Sequence, residues 1–172
     1  MFFKQLRTLS LQKKITLILK SRVKNFKSSK VKSIGVIFDY ESYHNYDFFR
    51  DLIKDIGIRR NKIQFIAKVD LGENKSDSND AFFSLENFDW LGRPKSIEID
   101  EFINQPFDVL ISYYKLNQLE LNLITARSKA NFKIGLTNDD PRLHDLTIDI
   151  EPKDTDVFKT ELIKYLTQLN RL

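Results

Sequence analysis

The chain has 172 residues, 28 Lys and Arg against 24 Asp and Glu, and a formal net charge of +4. It contains no Cys, which excludes disulfides, a disulfide-linked partner, thiolate metal sites and a cysteine nucleophile. No apolar run reaches the roughly 18 residues needed to span a bilayer. Lys13, Lys14 and Lys20 interrupt any signal-peptide core after the apolar start Met1-Phe2-Phe3, so the protein is expected in the cytoplasm.

The charge is unevenly placed. Residues 1–32 hold ten basic side chains (Lys4, Arg7, Lys13, Lys14, Lys20, Arg22, Lys24, Lys27, Lys30 and Lys32), and the first acid is Asp39. Taking those ten from the 28 leaves 18 basic residues against 24 acidic ones, so residues 33–172 carry a net of −6. A cationic leader on an anionic body bears on the choice of partner.

In residues 1–32, Leu11, Ile15, Ile18, Leu19, Val23 and Phe26 recur at helical steps and predict an amphipathic helical leader. Lys13, Lys20, Lys24 and Lys27 take the other side. Phe2, Phe3, Leu6 and Leu9 are phased differently, which predicts a break or a shift in packing near Ser10. Residues 33–172 alternate strand and helix patterns. Ile34–Phe38 is a buried strand, and Tyr46–Ile56 a helix closed by Gly57. Lys62–Val69 is the second strand, followed by the polar stretch Gly72–Asp80. Ala81–Pro94 is aromatic-rich and irregular; Phe82, Phe83 and Phe88 around Trp90 are expected to plug a loop onto the core. Ile99–Asn104 is a short helix, Phe107–Tyr113 a strand, and Leu116–Ala130 a helix. Strands over Phe132–Leu136 and Leu146–Ile150 precede a closing helix over Asp154–Leu169. The pattern predicts a Rossmann-like α/β domain, a single mostly parallel sheet of about five strands with helices on both faces.

Several stretches resemble a family of short bacterial proteins built on a domain of unknown function. They are the opening Met1-Phe2-Phe3-Lys4-Gln5-Leu6-Arg7-Thr8-Leu9-Ser10-Leu11-Gln12-Lys13-Lys14, the run Ile111-Ser112-Tyr113-Tyr114-Lys115, and Leu119-Glu120-Leu121-Asn122-Leu123 leading into Ala130-Asn131-Phe132-Lys133-Ile134-Gly135-Leu136. The resemblance implies no activity. Phe107 to Ile150 is also similar, at the level of fold, to the N-terminal half of heptosyltransferase-like glycosyltransferases. The sugar-nucleotide-binding half has no counterpart here, and no catalytic residue carries over.

Open parallel sheets bind ligands beyond the carboxyl ends of their strands. The candidates for a ligand there are Asp39, His44, Tyr113, Lys115, Arg142 and His144, with Lys68 and Asp70 after the second strand. No metal is expected, because His44 and His144 stand far apart and no H-x-x-x-H spacing supports them. No cofactor is expected either. The turn Asp39–Asn45 has no glycine to let backbone approach a pyrophosphate. A phosphate loop, a G-x-S-x-G elbow and a Ser–His–Asp signature are all missing.

The leading reading is a non-enzymatic binding protein whose basic helix attaches it to a polyanion, RNA or a ribosomal particle, through Lys4, Arg7, Lys13, Lys14, Lys20, Arg22, Lys24 and Lys27. Two alternatives stand beside it. The helix lies on the inner face of the cytoplasmic membrane with Phe2, Phe3 and Leu6 inserted, or the carboxyl edge of the sheet serves a small-ligand-binding or transferase-like enzyme. A helix simply docked by its apolar stripe, with its lysines solvated, has no binding role at all.

Overall fold

The computed structural model describes residues 2–24, 29–43, 45–69, 81–115, 118–136 and 140–172, with Phe2 described in its backbone alone. Six strands form one sheet: β1 (Ile34–Asp39), β2 (Ile63–Lys68), β3 (Ala81–Phe83), β4 (Val109–Tyr113), β5 (Lys133–Gly135) and β6 (Leu146–Thr147), in the order β3-β2-β1-β4-β5-β6. Every neighbouring pair is parallel. A parallel sheet is covered on both faces, which is why β1 and β4 read as nearly continuous apolar runs and are buried at every position.

The pleat sends alternate residues to opposite faces. Val36, Phe38, Val109 and Ile111 pack with Phe49, Leu52 and Ile53 of helix α2 (Tyr46–Asp55) and with Phe158, Leu162 and Leu166 of α5 (Thr155–Gln168). Ile37, Ile66 and Leu110 face the other way, onto Ile99, Phe102 and Ile103 of α3 (Ile97–Asn104) and Leu121, Leu123 and Ile124 of α4 (Leu119–Arg127). On this second face Leu11, from α1 (Phe2–Ser21), joins the same core.

Local signals account for several boundaries. The Asn45 side chain accepts from the Phe48 backbone N–H at 3.1 Å and opens α2. Gly57 (φ 77°) follows that helix in the left-handed conformation expected of it. Ser96 accepts from the Ile99 N–H at 3.3 Å, which starts α3 two residues before the predicted Ile99.

Two expectations are corrected. The sheet has six strands rather than about five, because Ala81–Phe83, expected to be irregular, is strand β3, paired with Ile66–Lys68. A three-residue strand is too short to show periodicity and takes its conformation from the neighbouring ladder. The aromatic segment does plug onto the core through Phe83 and Phe88, whose rings meet edge to face at 6.3 Å, while Trp90 stays half exposed. Second, α1 runs through Ser10 without a break. It contains neither Gly nor Pro, and the Ser10 hydroxyl donates to the Trp90 carbonyl at 3.1 Å. The differently phased residues Leu6 and Leu9 are not a second packing register; they form the outer side of the same helix and are exposed.

Strand order reverses between β1 and β4, with Phe38 in register with Tyr113. That is the topological switch point of a doubly wound sheet, and a crevice beyond its carboxyl ends is where such folds place ligands.

Two substitutions test the packing by thermal or denaturant unfolding. Val109 is fully buried, so Val109→Asp is expected to cost more than about 3 kcal/mol by stranding a carboxylate. At Gly135 a Cβ would fall 2.3 Å from the His144 ring, and Gly135→Ala is expected to cost about 1–3 kcal/mol through overpacking.

Candidate functional site

Helix α1 carries two stripes. The inner one runs Arg7, Leu11, Ile15, Ile18 and Arg22, at steps of three and four residues. Leu11 is fully buried; Leu19 packs on Ala126 and Leu143, with Ile15 and Ile18 beside it. An arginine fastens each end. The Arg7 guanidinium donates to the carbonyls of Leu85 (2.6 Å) and Phe88 (2.7 Å). Arg22 donates to the Arg142 carbonyl at 2.8 Å and pairs with the buried Asp145 carboxylate at 2.5 Å. Lys24 adds a bond of 2.9 Å to the His144 carbonyl. Arg7, Arg22 and Lys24, three of the eight residues proposed from sequence to bind a polyanion, are therefore engaged with the protein itself.

The outer stripe runs Leu6, Leu9, Lys13, Leu17 and Lys20, also at steps of three and four, and all five are exposed. Leu6, Leu9 and Leu17 keep 42%, 54% and 61% of their surface in solvent. Val23, just beyond the helix, is also exposed. Lys4 is exposed at the first turn and Lys14 is half-buried. Lys27 lies outside the described residues.

The carboxyl edge is organised by Asp39, the last residue of β1. Its register partner is Lys68, the last residue of β2, and the ammonium stands 3.7 Å from the carboxylate. Asp39 Oδ2 accepts from the Ser42 hydroxyl at 2.7 Å and from the Gln118 amide at 3.0 Å. Gln118 is the residue that opens α4, so one carboxylate joins the two connections that leave the switch point. Asp39 Oδ1 and Gln118 Oε1 are buried without a hydrogen-bond partner. This polar centre sits where an open α/β sheet holds a ligand.

The other sequence candidates do not converge on it. Tyr113 ends β4 but turns to the opposite face, where its ring packs against Tyr43 and Phe158 and its hydroxyl donates to the Pro152 carbonyl at 2.9 Å. Lys115 pairs with Asp149 at 3.2 Å and Glu151 at 2.7 Å, and Arg142 pairs with Asp140 at 2.6 Å. His44 and Asp70 lie outside the described residues. His144, expected beyond a carboxyl end, stands instead at the amino end of β6, because Asp145 donates to the Lys133 carbonyl and Leu146 is in register with Ile134. Among the described residues no three His, Asp or Glu form a metal-holding group. Gln118 and Ser42 escaped the sequence reading. Their one signal is position, a polar residue just before a helix and another just after a strand-ending acid.

His144 and Lys133 make a second polar cluster, beneath α1. The His144 ring is buried over Gly135, with both nitrogens unpartnered. Burial, then the charges of Lys133, Arg22 and Lys24, hold it down to about 3. Lys133 is buried at the start of β5 and donates to the carbonyls of Thr125 (2.6 Å) and Ala126 (3.2 Å), at the end of α4. Burial, helped by Arg22 and opposed by Asp145, holds its amine down to about 7.

Both shifts make stability depend on pH. Below about pH 6.5 an unfolded imidazole takes a proton that native His144 refuses until about pH 3, so stability falls on acidification through that window. Above about pH 7 native Lys133 is neutral while the unfolded side chain stays charged to about 10.5, so stability rises with pH across that range. Unfolding measured from pH 4 to 10 is expected to show both slopes. Lys133→Met should flatten the alkaline one and His144→Leu should make the acid one shallower.

No curated protein and no solved structure matches the chain. A family model matches residues 7–169, a span that holds every strand of the sheet and both arginine anchors of α1, and the chain accordingly belongs to DUF6913, a family of unknown function.

Proposed function

We propose that this is a non-enzymatic binding protein that lies on an anionic membrane surface, the inner face of the cytoplasmic membrane, through the outer stripe of α1. The observation that carries this reading is the composition of that stripe: three exposed leucines interleaved with Lys13 and Lys20, with no acid among residues 1–38. Leucines inserted among acyl chains and lysines at the headgroups are how an interfacial helix binds.

The same geometry weighs against the RNA or ribosomal reading. A surface that tracks phosphates needs several free cations, and Arg7, Arg22 and Lys24 are held by the protein itself. The exposed leucines contribute nothing to a phosphate backbone. None of the described helices is long and apolar enough to cross a membrane, so α1 would lie on the surface. Partial insertion of three leucines and approach of two lysines supply about 5 kcal/mol in all, a reversible attachment. The net of −6 on residues 33–172 turns the body away from an anionic bilayer and so fixes which side of the protein faces it.

Co-sedimentation of the full chain with vesicles tests this. Binding is expected to vesicles of equal parts phosphatidylglycerol and phosphatidylcholine, and not to phosphatidylcholine alone. Leu6→Ser combined with Leu17→Ser should abolish it without changing the melting temperature, because both side chains face solvent. Lys13→Gln with Lys20→Gln should weaken it and reduce its sensitivity to salt. Retention on poly(U) that ignores the leucine changes and is lost with the lysines would replace the membrane with RNA. Binding to neither would leave α1 a purely structural layer.

A further inference from the structure

A cleft of about 580 Å3 opens at the carboxyl end of β2, between the first turns of α1 and α4. Its size falls within the range of small-molecule sites, about 300–1,000 Å3, and its place is on the side of the sheet where doubly wound folds bind ligands. The apolar part of the wall is Phe3, Val69, Leu85 and Trp90; Phe3 and Trp90 are respectively 73% and 49% exposed.

The charged part of the wall decides the ligand's chemistry. Arg7 and Lys68 line the cleft but are engaged, Arg7 on two carbonyls and Lys68 on Asp39. Lys4, Glu86 and Glu120 also line it and form no ion pair among the described residues. Among the described residues, one open cation and two open carboxylates thus surround an aromatic and aliphatic floor. A nucleotide fits poorly, because its phosphates would meet two carboxylates and find the strongest cation already spent on backbone. A neutral apolar ligand fits poorly as well, because it would strip water from three charges without pairing any of them.

We propose that this cleft binds a small zwitterion with an apolar body, the chemistry of an aromatic or large aliphatic α-amino acid. The carboxylate pairs with Lys4, the ammonium with Glu86 and Glu120, and the side chain lies against Trp90 and Phe3. Charge-assisted pairs at both ends give orientation, and an ammonium near an indole face adds cation–π attraction. The proposal stands independently of the membrane reading, since it uses other side chains and needs no lipid.

Trp90 is the only tryptophan in the chain, so its emission reports on this cleft directly. Titrating the lipid-free protein with L-phenylalanine and with L-leucine is expected to give a saturable change in Trp90 emission. L-Phenylalaninamide, which lacks the carboxylate, and N-acetyl-L-phenylalanine, which lacks the ammonium, should each bind on the order of tenfold more weakly. Lys4→Gln should erase the preference for the acid over the amide, and Glu120→Gln should reduce the preference for the free amine, with circular dichroism unchanged in both. No saturable response to either amino acid would overturn the proposal. So would equal binding of the blocked analogues, or a response to ADP in place of the amino acids.

Discussion

Because β1 is hydrogen-bonded to β2 on one edge and to β4 on the other, and lies between helices on both faces, none of its six residues reaches solvent appreciably. Sealing both faces of such a strand is the constraint around which the other elements are arranged. On one face α2 and α5 suffice. On the other, the eight-residue α3 and the nine-residue α4 leave apolar surface beside the turn at Gly92. Leu11 of α1 fills it, and a Cβ on Gly92 would lie 3.0 Å from Leu123 and 3.3 Å from Leu11. The glycine keeps that approach open, and its φ of 69° is one that other residues rarely adopt.

An outermost helix that adds two buried leucines, Leu11 and Leu19, and a few partly buried side chains is weakly held by apolar contact alone. Its arginines supply the rest. A guanidinium presents several donors in a fixed fork, so Arg7 bonds two carbonyls of the turn after β3 at one end, and Arg22 bonds a carbonyl and a buried carboxylate at the other. Basic residues that look from sequence like a surface for a polyanion thus divide by position along the helix: the arginines fasten it, and the exposed lysines remain available to a partner.

Much of the fold was legible. The runs Ile34–Phe38 and Phe107–Tyr113, each bounded by polar residues, could only be central strands, and Gly57 announced the end of α2. What escaped has definite physical causes. The strand β3 is too short for any period to appear. The break expected at Ser10 came from assuming that one helix has one apolar face, whereas α1 uses one stripe for the core and exposes the other. Lys133 and His144 look polar in sequence, but backbone carbonyls at the end of α4 absorb the first and a glycine in β5 makes room for the second. The candidate site was half legible. Asp39 stands out as an acid ending an apolar strand, but its contact with Gln118 joins residues 79 positions apart, and only the sheet order brings them together.

The environment of Lys133 has a consequence for chemical probing. A neutral amine is the nucleophilic form of lysine, and burial holds this one down to about 7 while shutting it away from solvent. Acylating reagents therefore spare it in the folded protein and attack it as soon as β5 parts from the end of α4. The time course of its labelling is a clock for that local opening, set inside the molecule by one buried side chain.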